Sequence, residues 1–180
     1  MTVLEIGASN TSNTKQLAGH CKTLIGVELF SKRTPKNFSN IKYLTGDWQK
    51  LSSIIKTKSI DIAVSTHVIE HVPNDILALN ELYSVLKPGG VAIINTPNRK
   101  RLTRTIIELF TEERKFPYWE HEREYTKTDL QNLIHKSKFK QYKIKPVVFG
   151  LHGGPVYAYL ESVPTFLRSL SNFWEIHLTK

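Results

Sequence analysis

Four groups of residues could carry chemistry in this sequence. The first is Glu5-Ile6-Gly7-Ala8-Ser9-Asn10-Thr11, a small polar loop with a carboxylate at its start and a glycine two residues on. It follows the apolar run Val3, Leu4 and Ile6 and precedes a helical pattern over 14–20, so it reads as the turn between a buried strand and a helix. Such a turn offers backbone N–H groups and a helix N-terminus to a ligand. The second is Glu28, which closes TLIGVE about 20 residues past Gly7, where a dinucleotide-type fold puts the carboxylate that accepts from ribose hydroxyls. The third is Gly46-Asp47-Trp48. Asp47 can accept from an exocyclic amine or cap the helix expected over 48–55, and Trp48 can cover an aromatic ring. The fourth is His67, Glu70 and His71 in THVIEHV, with His121 in the aromatic-rich stretch KFPYWEHERE. Histidine is the natural proton acceptor near neutral pH; each of these side chains also has a purely structural reading.

The elements that position these residues follow from the pattern. Strands are expected over 3–6, 23–28, 41–45, 60–65, 91–95 and 142–149, with a closing strand over 173–178. Helices are expected over 14–20, 48–55 and 73–86, the last opened by Pro73 and stopped by Lys87-Pro88-Gly89-Gly90. A further helix follows Asn98 with a basic start (Arg99, Lys100, Arg101, Arg104), which opposes the helix dipole by a few tenths of a kcal/mol. It reads either as a solvated face or as a functional basic patch. Thr126 and Asp129 fit a capping box that opens a helix running to residue 136. Val156, Tyr159, Leu160, Val163, Phe166, Leu167 and Leu170 form an apolar stripe, read either as packing on the sheet or as a membrane or partner face. Strands alternating with helices imply an α/β fold with a doubly wound, mostly parallel sheet and helices on both faces. The length fits one domain over 1–180, with 99–124 and 150–172 as acceptor-side or lid segments.

Taken in order, LEIGAS, GVE, GDW, IDIAVSTHVIEHV, LKPGGVAIINTPN and HEREYT resemble the class I S-adenosylmethionine-dependent methyltransferases, and among them the UbiE/UbiG-like, methyltransferase type 11 group. The resemblance runs over residues 1–150 and loosely over the last strand. It implies a Rossmann-like seven-stranded sheet of order 3-2-1-4-5-7-6, with an antiparallel seventh strand for which 173–178 is the candidate. It also implies roles. Glu5 and Gly7 approach the methionine part of S-adenosylmethionine, with Ser9 in the same loop. Glu28 holds the ribose, Asp47 the adenine amine, and Trp48 lies near the adenine. Ser65 and Thr66 border the methionine and sulfonium. Two features depart from the family pattern. The usual G-x-G-x-G loop is here Gly7-Ala8-Ser9-Asn10-Thr11, and a left-handed conformation at Ser9 or Thr11 would cost about 1–2 kcal/mol. The chain also begins with the strand, whereas relatives usually carry a covering helix first. A more open site is expected, or a homo-oligomer or partner subunit that covers that side.

Methyl transfer from a sulfonium is an in-line displacement that needs mainly positioning, worth roughly 7–11 kcal/mol. The fourth strand ends in Ser65-Thr66-His67, not in the Asp/Asn-Pro-Pro-Tyr/Phe type of motif that holds a planar amine. That argues against adenine N6 or glutamine methylation; oxygen is the first choice of acceptor atom, with carbon and other nitrogens open, and the resemblance implies a small-molecule or lipid-like acceptor. His71 and His121 are the expected proton acceptors, with Arg99 and Arg123 on the acceptor side. The small-RNA 3′-terminal 2′-O-methyltransferases are similar in E-x-x-E-H, TPN and a downstream His, and use those side chains to bind a divalent metal. Here His67 replaces the first Glu, so His67, Glu70, His71 and His121 are the alternative metal set. Similar blocks occur in metal-free relatives, and a metal-free site is the first expectation. The net charge of +9 suggests an anionic partner, either RNA, an acidic lipid surface or an acidic substrate. A non-catalytic methyltransferase-like subunit is a third reading, favoured by the departures and opposed by Glu28, Asp47 and the EHV block. Cys21 is the only cysteine, which excludes an internal disulfide and a cysteine metal cluster. No signal peptide is read before the first strand, and no apolar run reaches the ~18–20 residues of a membrane span. A cytoplasmic location is expected.

Overall fold

Val3, Leu4, Glu5 and Ile6 are all buried in strand β1 (Thr2–Ile6), and a strand with no exposed face must lie inside a sheet. The computed structural model describes residues 1–8, 11–33, 40–110, 120–153 and 156–180. Among them, β1 is followed by helix α1 (Thr11–Ala18), β2 (Thr23–Glu28), β3 (Ile41–Thr45), the short helix α2 (Leu51–Ile54), β4 (Ile60–Thr66), α3 (Asp75–Val85) and β5 (Leu86–Pro97). Then come α4 (Leu102–Glu108), α5 (Lys127–Lys136), β6 (Gln141–Val147), β7 (Phe149–Gly153), β8 (Val156–Leu160) and β9 (Phe173–Thr179). Seven strands form one sheet in the order β3-β2-β1-β4-β5-β9-β6. β9 runs antiparallel to both β5 and β6. This is the expected order, with β9 in the seventh position.

The alternation of side chains along β1 divides the core. Leu4 and Ile6 join the main cluster with Leu79 and Leu82 of α3 and Leu130 and Ile134 of α5. Val3 points to the other face, where it meets Ala18 of α1 and Leu24 of β2. Leu4 is fully buried, and truncating such a leucine to alanine costs about 2–5 kcal/mol. The capping box is present: Thr126 N donates to Asp129 Oδ2 at 2.9 Å and Asp129 N to Thr126 Oγ1 at 3.2 Å. Helix α3 begins two residues past Pro73, with Asn74 as the cap that accepts from Leu77 N at 3.0 Å. The helix expected over 48–55 is a 3-10 turn, Trp48–Lys50, running into the single turn of α2.

Three segments differ from the expected pattern. Residues 87–90 do not end in a free turn. They bulge out of β5, which pairs with β4 at Ile60↔Leu86 and again at Ile62↔Val91, and Gly89 takes the positive φ of 77° that the bulge requires. The sixth strand breaks at Val148, whose φ of 57° turns the chain out of the sheet. The Val148 carbonyl is recovered by a 2.7 Å bond from Asn172 N. Beyond it, β7 and β8 form a separate hairpin, followed by the 3-10 helix Thr165–Leu170, none of whose residues is buried. The stripe expected over 156–170 is thus divided between a strand and a 3-10 turn, and Phe166 is 80% exposed. α4 packs on β7, and β7 on the 3-10 helix. Asn98, fully buried, ties this group to the end of β5 by donating to Ser169 O at 2.9 Å and Ser171 O at 2.8 Å.

At the opposite, amino edge, Asp61 accepts from Thr2 N at 2.7 Å and from Lys87 Nζ at 2.6 Å, joining β1, β4 and β5. The hydrogen bond from Lys87, and next that from Thr2, lower its carboxyl pKa below 3.8. A depressed carboxyl contributes stability that is complete above its unfolded pKa and is lost as pH falls through the folded value. Asp61→Asn should therefore narrow the difference in Tm between about pH 6 and about pH 3 in thermal melts. An unchanged difference would show that the pair does not couple to folding.

Candidate active site

The carboxyl ends of β1, β2 and β4 border a crevice that Gly7 divides. Gly7 has a φ of 81°, and a Cβ placed there would lie 2.5 Å from Val68 Cγ2. The turn after β1 and the segment after β4 therefore meet with no room for a side chain. The N–H groups of Gly7 and Ala8 do not point outward as expected; both donate to Val27 O, at 2.8 and 3.2 Å, and extend the β1–β2 ladder. Ser9 lies outside the described residues.

One part of the crevice, about 530 Å³, is lined by Glu5, Asn13, Gln16 and His20 together with the Gly7 turn. Glu5 is buried, and its Oε2 has no partner among the described residues. Burial raises its carboxyl pKa, against a lowering by Thr14. A buried carboxylate with an unused oxygen is a place for an ammonium group. The other part, about 610 Å³, is lined by Glu28, Leu29, Phe30, Asp47, Trp48 and His71 among others. Glu28 is buried and accepts a long 3.4 Å bond from Phe30 N, and its carboxylate lines the crevice, where it can receive a hydroxyl. Asp47 caps the Trp48 turn through Oδ1 to Gln49 N at 2.8 Å, so the capping role stands and Asp47 still lines the crevice. Thr66 and His67 border both parts. Ser65 does not: it is buried, with an unpartnered Oγ, and lines neither. The alternation of side chains along a strand puts these neighbours on opposite faces. Ammonium, diol and aromatic ring are the three ends of S-adenosylmethionine, so the residues present fit that molecule. Asn13, Gln16, His20 and the Leu29-Phe30 pair were not singled out in the sequence. The only signal was their place just after β1 and β2.

The histidines gather at the mouth. His67 sits at a φ of 54°, uncommon for a residue with a side chain, and packs edge-on against Phe173 at 4.8 Å. Its Nδ1 is 3.3 Å from Glu70 Oε1. Glu70 has no exposure and accepts from Thr96 Oγ1 at 3.1 Å. The rings of His71 and His121 meet edge to face at 4.7 Å. His71 Nδ1 bonds Glu120 O at 2.9 Å, and His121 Nδ1 bonds Glu124 Oε1 at 3.0 Å. Glu70, His71 and His121 offer ligand atoms within 4.8 Å of one another; His67 is not part of that set.

The arginines have other work. Arg99 pairs with Glu108 at 2.8 Å, Arg101 with Glu124 at 2.6 Å, and Arg104, 5% exposed, with both acids. The basic start of α4 is therefore neither a solvated face nor a free patch but an ion-pair network. Arg123 donates to Val72 O at 2.7 Å and Pro73 O at 2.8 Å. It anchors the 120–125 segment to the start of α3, as Tyr125 does through Asp75 at 2.9 Å. Neither Arg99 nor Arg123 lines the crevice. Both were expected on the acceptor side, but nearby acids and carbonyls occupy their guanidinium groups.

A sheet of this order with a crevice built this way defines a nucleotide-cofactor transferase of the class I methyltransferase type. The family model of the methyltransferase domain matches residues 1–142, and the chain belongs to that family, whose methyl donor is S-adenosylmethionine. It is 27% identical over 120 residues to a ubiquinone biosynthesis O-methyltransferase of Glaesserella parasuis, covering 61% of this chain and 51% of that protein. It is 27% identical over 122 residues to a trans-aconitate 2-methyltransferase of Deinococcus radiodurans, covering 61% of this chain and 45% of that one. The chain spans about half or less of the length of the curated relatives it matches. An S-adenosylmethionine-dependent methyltransferase structure from Thermotoga maritima superposes over 99% of this chain and 82% of its own, with a TM-score of 0.69 and 24% identity, and shows the shared fold.

Two substitutions test the crevice. Gly7→Ala should weaken S-adenosylhomocysteine binding by about tenfold or more, since the left-handed backbone alone costs about 1–2 kcal/mol. Glu28→Ala should cost about 10–100-fold through a lost charged hydrogen bond. Calorimetric titration beside thermal melts reads both, and unchanged affinity in Glu28→Ala would remove the ribose from this end.

Proposed function

We propose that this chain transfers the methyl group of S-adenosylmethionine to a hydroxyl oxygen of a small-molecule or lipid-like acceptor, with Gly7, Glu28 and Asp47 holding the cofactor and His71 and His121 handling the acceptor proton. One observation carries the reading: His71 lines the same crevice as Glu28, Asp47 and Trp48, with the ring of His121 against it. When bound, the cofactor supplies an electrophilic methyl group on a sulfonium. An acceptor oxygen would take that methyl as the carbon–sulfur bond broke, and its proton would need an unprotonated imidazole nitrogen. His71 has that nitrogen, because the Glu120 carbonyl can only accept and so keeps the ring proton on Nδ1. The O-methyltransferase among the relatives supports oxygen as the acceptor atom. Exposed apolar side chains at Leu109, Phe110, Leu160 and Phe166 favour an acceptor with apolar character. They belong to or border the packed group of α4, the hairpin and the 3-10 helix. An RNA acceptor is less favoured because Arg99, Arg101 and Arg104 are engaged with Glu108 and Glu124, which offset two of their three charges. No helix among the described residues is long and apolar enough to cross a membrane.

A second reading rests on the cluster of Glu70, His71 and His121. Around Zn²⁺, with ligands near 2.1 Å, donors lie about 3–3.5 Å apart, so these three would need to close by about 1 Å. Both histidines are already oriented through Nδ1, as metal-bound histidines are, and among the described residues Glu70 Oε1 accepts no hydrogen bond, with His67 Nδ1 3.3 Å away.

The first experiment is calorimetric titration of the metal-stripped chain with S-adenosylhomocysteine. Binding followed by label transfer from methyl-labelled donor to phenolic or hydroxy-acid acceptors is expected, with His71→Ala about 10²–10⁴-fold slower at similar cofactor affinity. Cofactor binding without transfer to any oxygen acceptor would overturn the oxygen assignment, and no binding at all would favour a non-catalytic subunit. Titration with Zn²⁺ decides the second reading: a stoichiometric heat lost in His121→Ala supports it, and no heat removes it.

A further inference from the structure

Glu124 has a side chain only 2% exposed. It lies between α4 and the histidine pair. Its Oε2 accepts from Arg101 Nη1 at 2.6 Å and Arg104 Nη1 at 2.5 Å. Its Oε1 accepts from Arg101 Nη2 at 3.2 Å and meets His121 Nδ1 at 3.0 Å. Burial alone would raise this carboxyl, but the hydrogen bond and charge of Arg101, with the charge of Arg104 and the bond from His121, hold it below 4.5. An ionised carboxylate can only accept.

We infer that Glu124 is a positioning residue that fixes His121 in the Nδ1–H tautomer and leaves its lone pair on Nε2. This rests on the reading that the histidine pair serves the acceptor. The Glu120 carbonyl fixes His71 the same way, so each of the two facing rings carries its proton on Nδ1. Because Glu124 is gripped by two residues of the α4 region, the tautomer of His121 is set by the same contacts that seat that helix.

The donor pattern makes the test sharp. In Glu124→Gln the amide oxygen is drawn to the Oε2 position, where two arginines donate. The NH₂ then occupies the Oε1 position and can only donate to His121. Nδ1 must become the acceptor, and the ring proton moves to Nε2. Side-chain ¹⁵N spectra of the full chain at about pH 8, where an ordinary imidazole is neutral, read this directly. The wild type should show protonated Nδ1 and bare Nε2 at His121, and Glu124→Gln the reverse, with Glu124→Asp retaining the wild-type tautomer. Protonated Nε2 in the wild type overturns the inference whether or not the variant folds, and so does an unchanged tautomer in a folded Glu124→Gln. Methyl transfer to catechol, the simplest oxygen probe, should fall about 10–100-fold in Glu124→Gln, with KM within about twofold. An inverted tautomer with an unchanged rate would overturn the positioning role. Absence of transfer by the wild type would count against the proposed function alone, since the spectra decide the tautomer without turnover.

Discussion

The mouth of the crevice depends on a carboxylate with no exposure to water, Glu70. An isolated buried carboxylate is penalised by several kcal/mol, so its neighbours must converge on it. They come from three parts of the chain. Thr96, from the end of β5, donates to Oε2, and His67, from the end of β4, stands beside Oε1. The Glu70 carbonyl accepts from Glu122 N at 2.9 Å and Arg123 N at 3.3 Å. One residue thus joins two strand ends to the segment that carries His121. The strands alone would bring the cofactor residues together, but they would not bring His121, which lies 50 residues from His71 in the chain.

Two polar hubs therefore divide the work. Glu70 holds the 120–125 segment over the strand ends, aided by Arg123 on the Val72 and Pro73 carbonyls and by Tyr125 on Asp75. Glu124 holds the same segment against α4. Glu124 acts through a carboxylate with several donors, whereas Glu70 joins the strand ends through its side chain and the 120–125 segment through its backbone carbonyl. A histidine set between two such anchors has little freedom of position. The crevice itself needs less, because Gly7, Glu28 and Thr66 are fixed by the strand ladder.

This difference explains what could be read in advance. The strand order came from the resemblance to the methyltransferase family. The strands followed from apolar runs and the places of Glu28 and Asp47 at strand ends from short spacings, because each lies within one βα unit. The capping box at Thr126 and Asp129 was legible for the same reason. The Arg99–Arg104 cluster was not: its meaning lies in Glu124, which only the tertiary fold brings near. Glu108 was in reach, since Arg104 and Glu108 stand at i,i+4 on α4. The hairpin at β7 and β8 was hidden by a helical spacing of apolar residues that the 3-10 turn partly reproduces. The break at Val148 had no sequence signal, because a β-branched residue at positive φ contradicts its own local preference. Residues 87–90 carry ordinary turn chemistry, and only the ladder on both sides makes them a bulge.

The two ends of the site are built to different tolerances, and this bears on what each can recognise. The cofactor end is bounded by backbone and buried acids, with a glycine where any side chain would collide. Such a surface admits one shape. Away from it, α4, the hairpin and the 3-10 helix pack on one another and leave Phe110 and Phe166 at least four-fifths exposed. Apolar side chains left in water gain free energy from any partner that covers them, at about 25 cal/mol per Å². A polar acceptor would leave that surface uncovered, whereas one with an apolar body beside its hydroxyl would cover it. Under the proposed reading, an oxygen nucleophile carried on an apolar frame would meet both the histidines and part of this apolar surface.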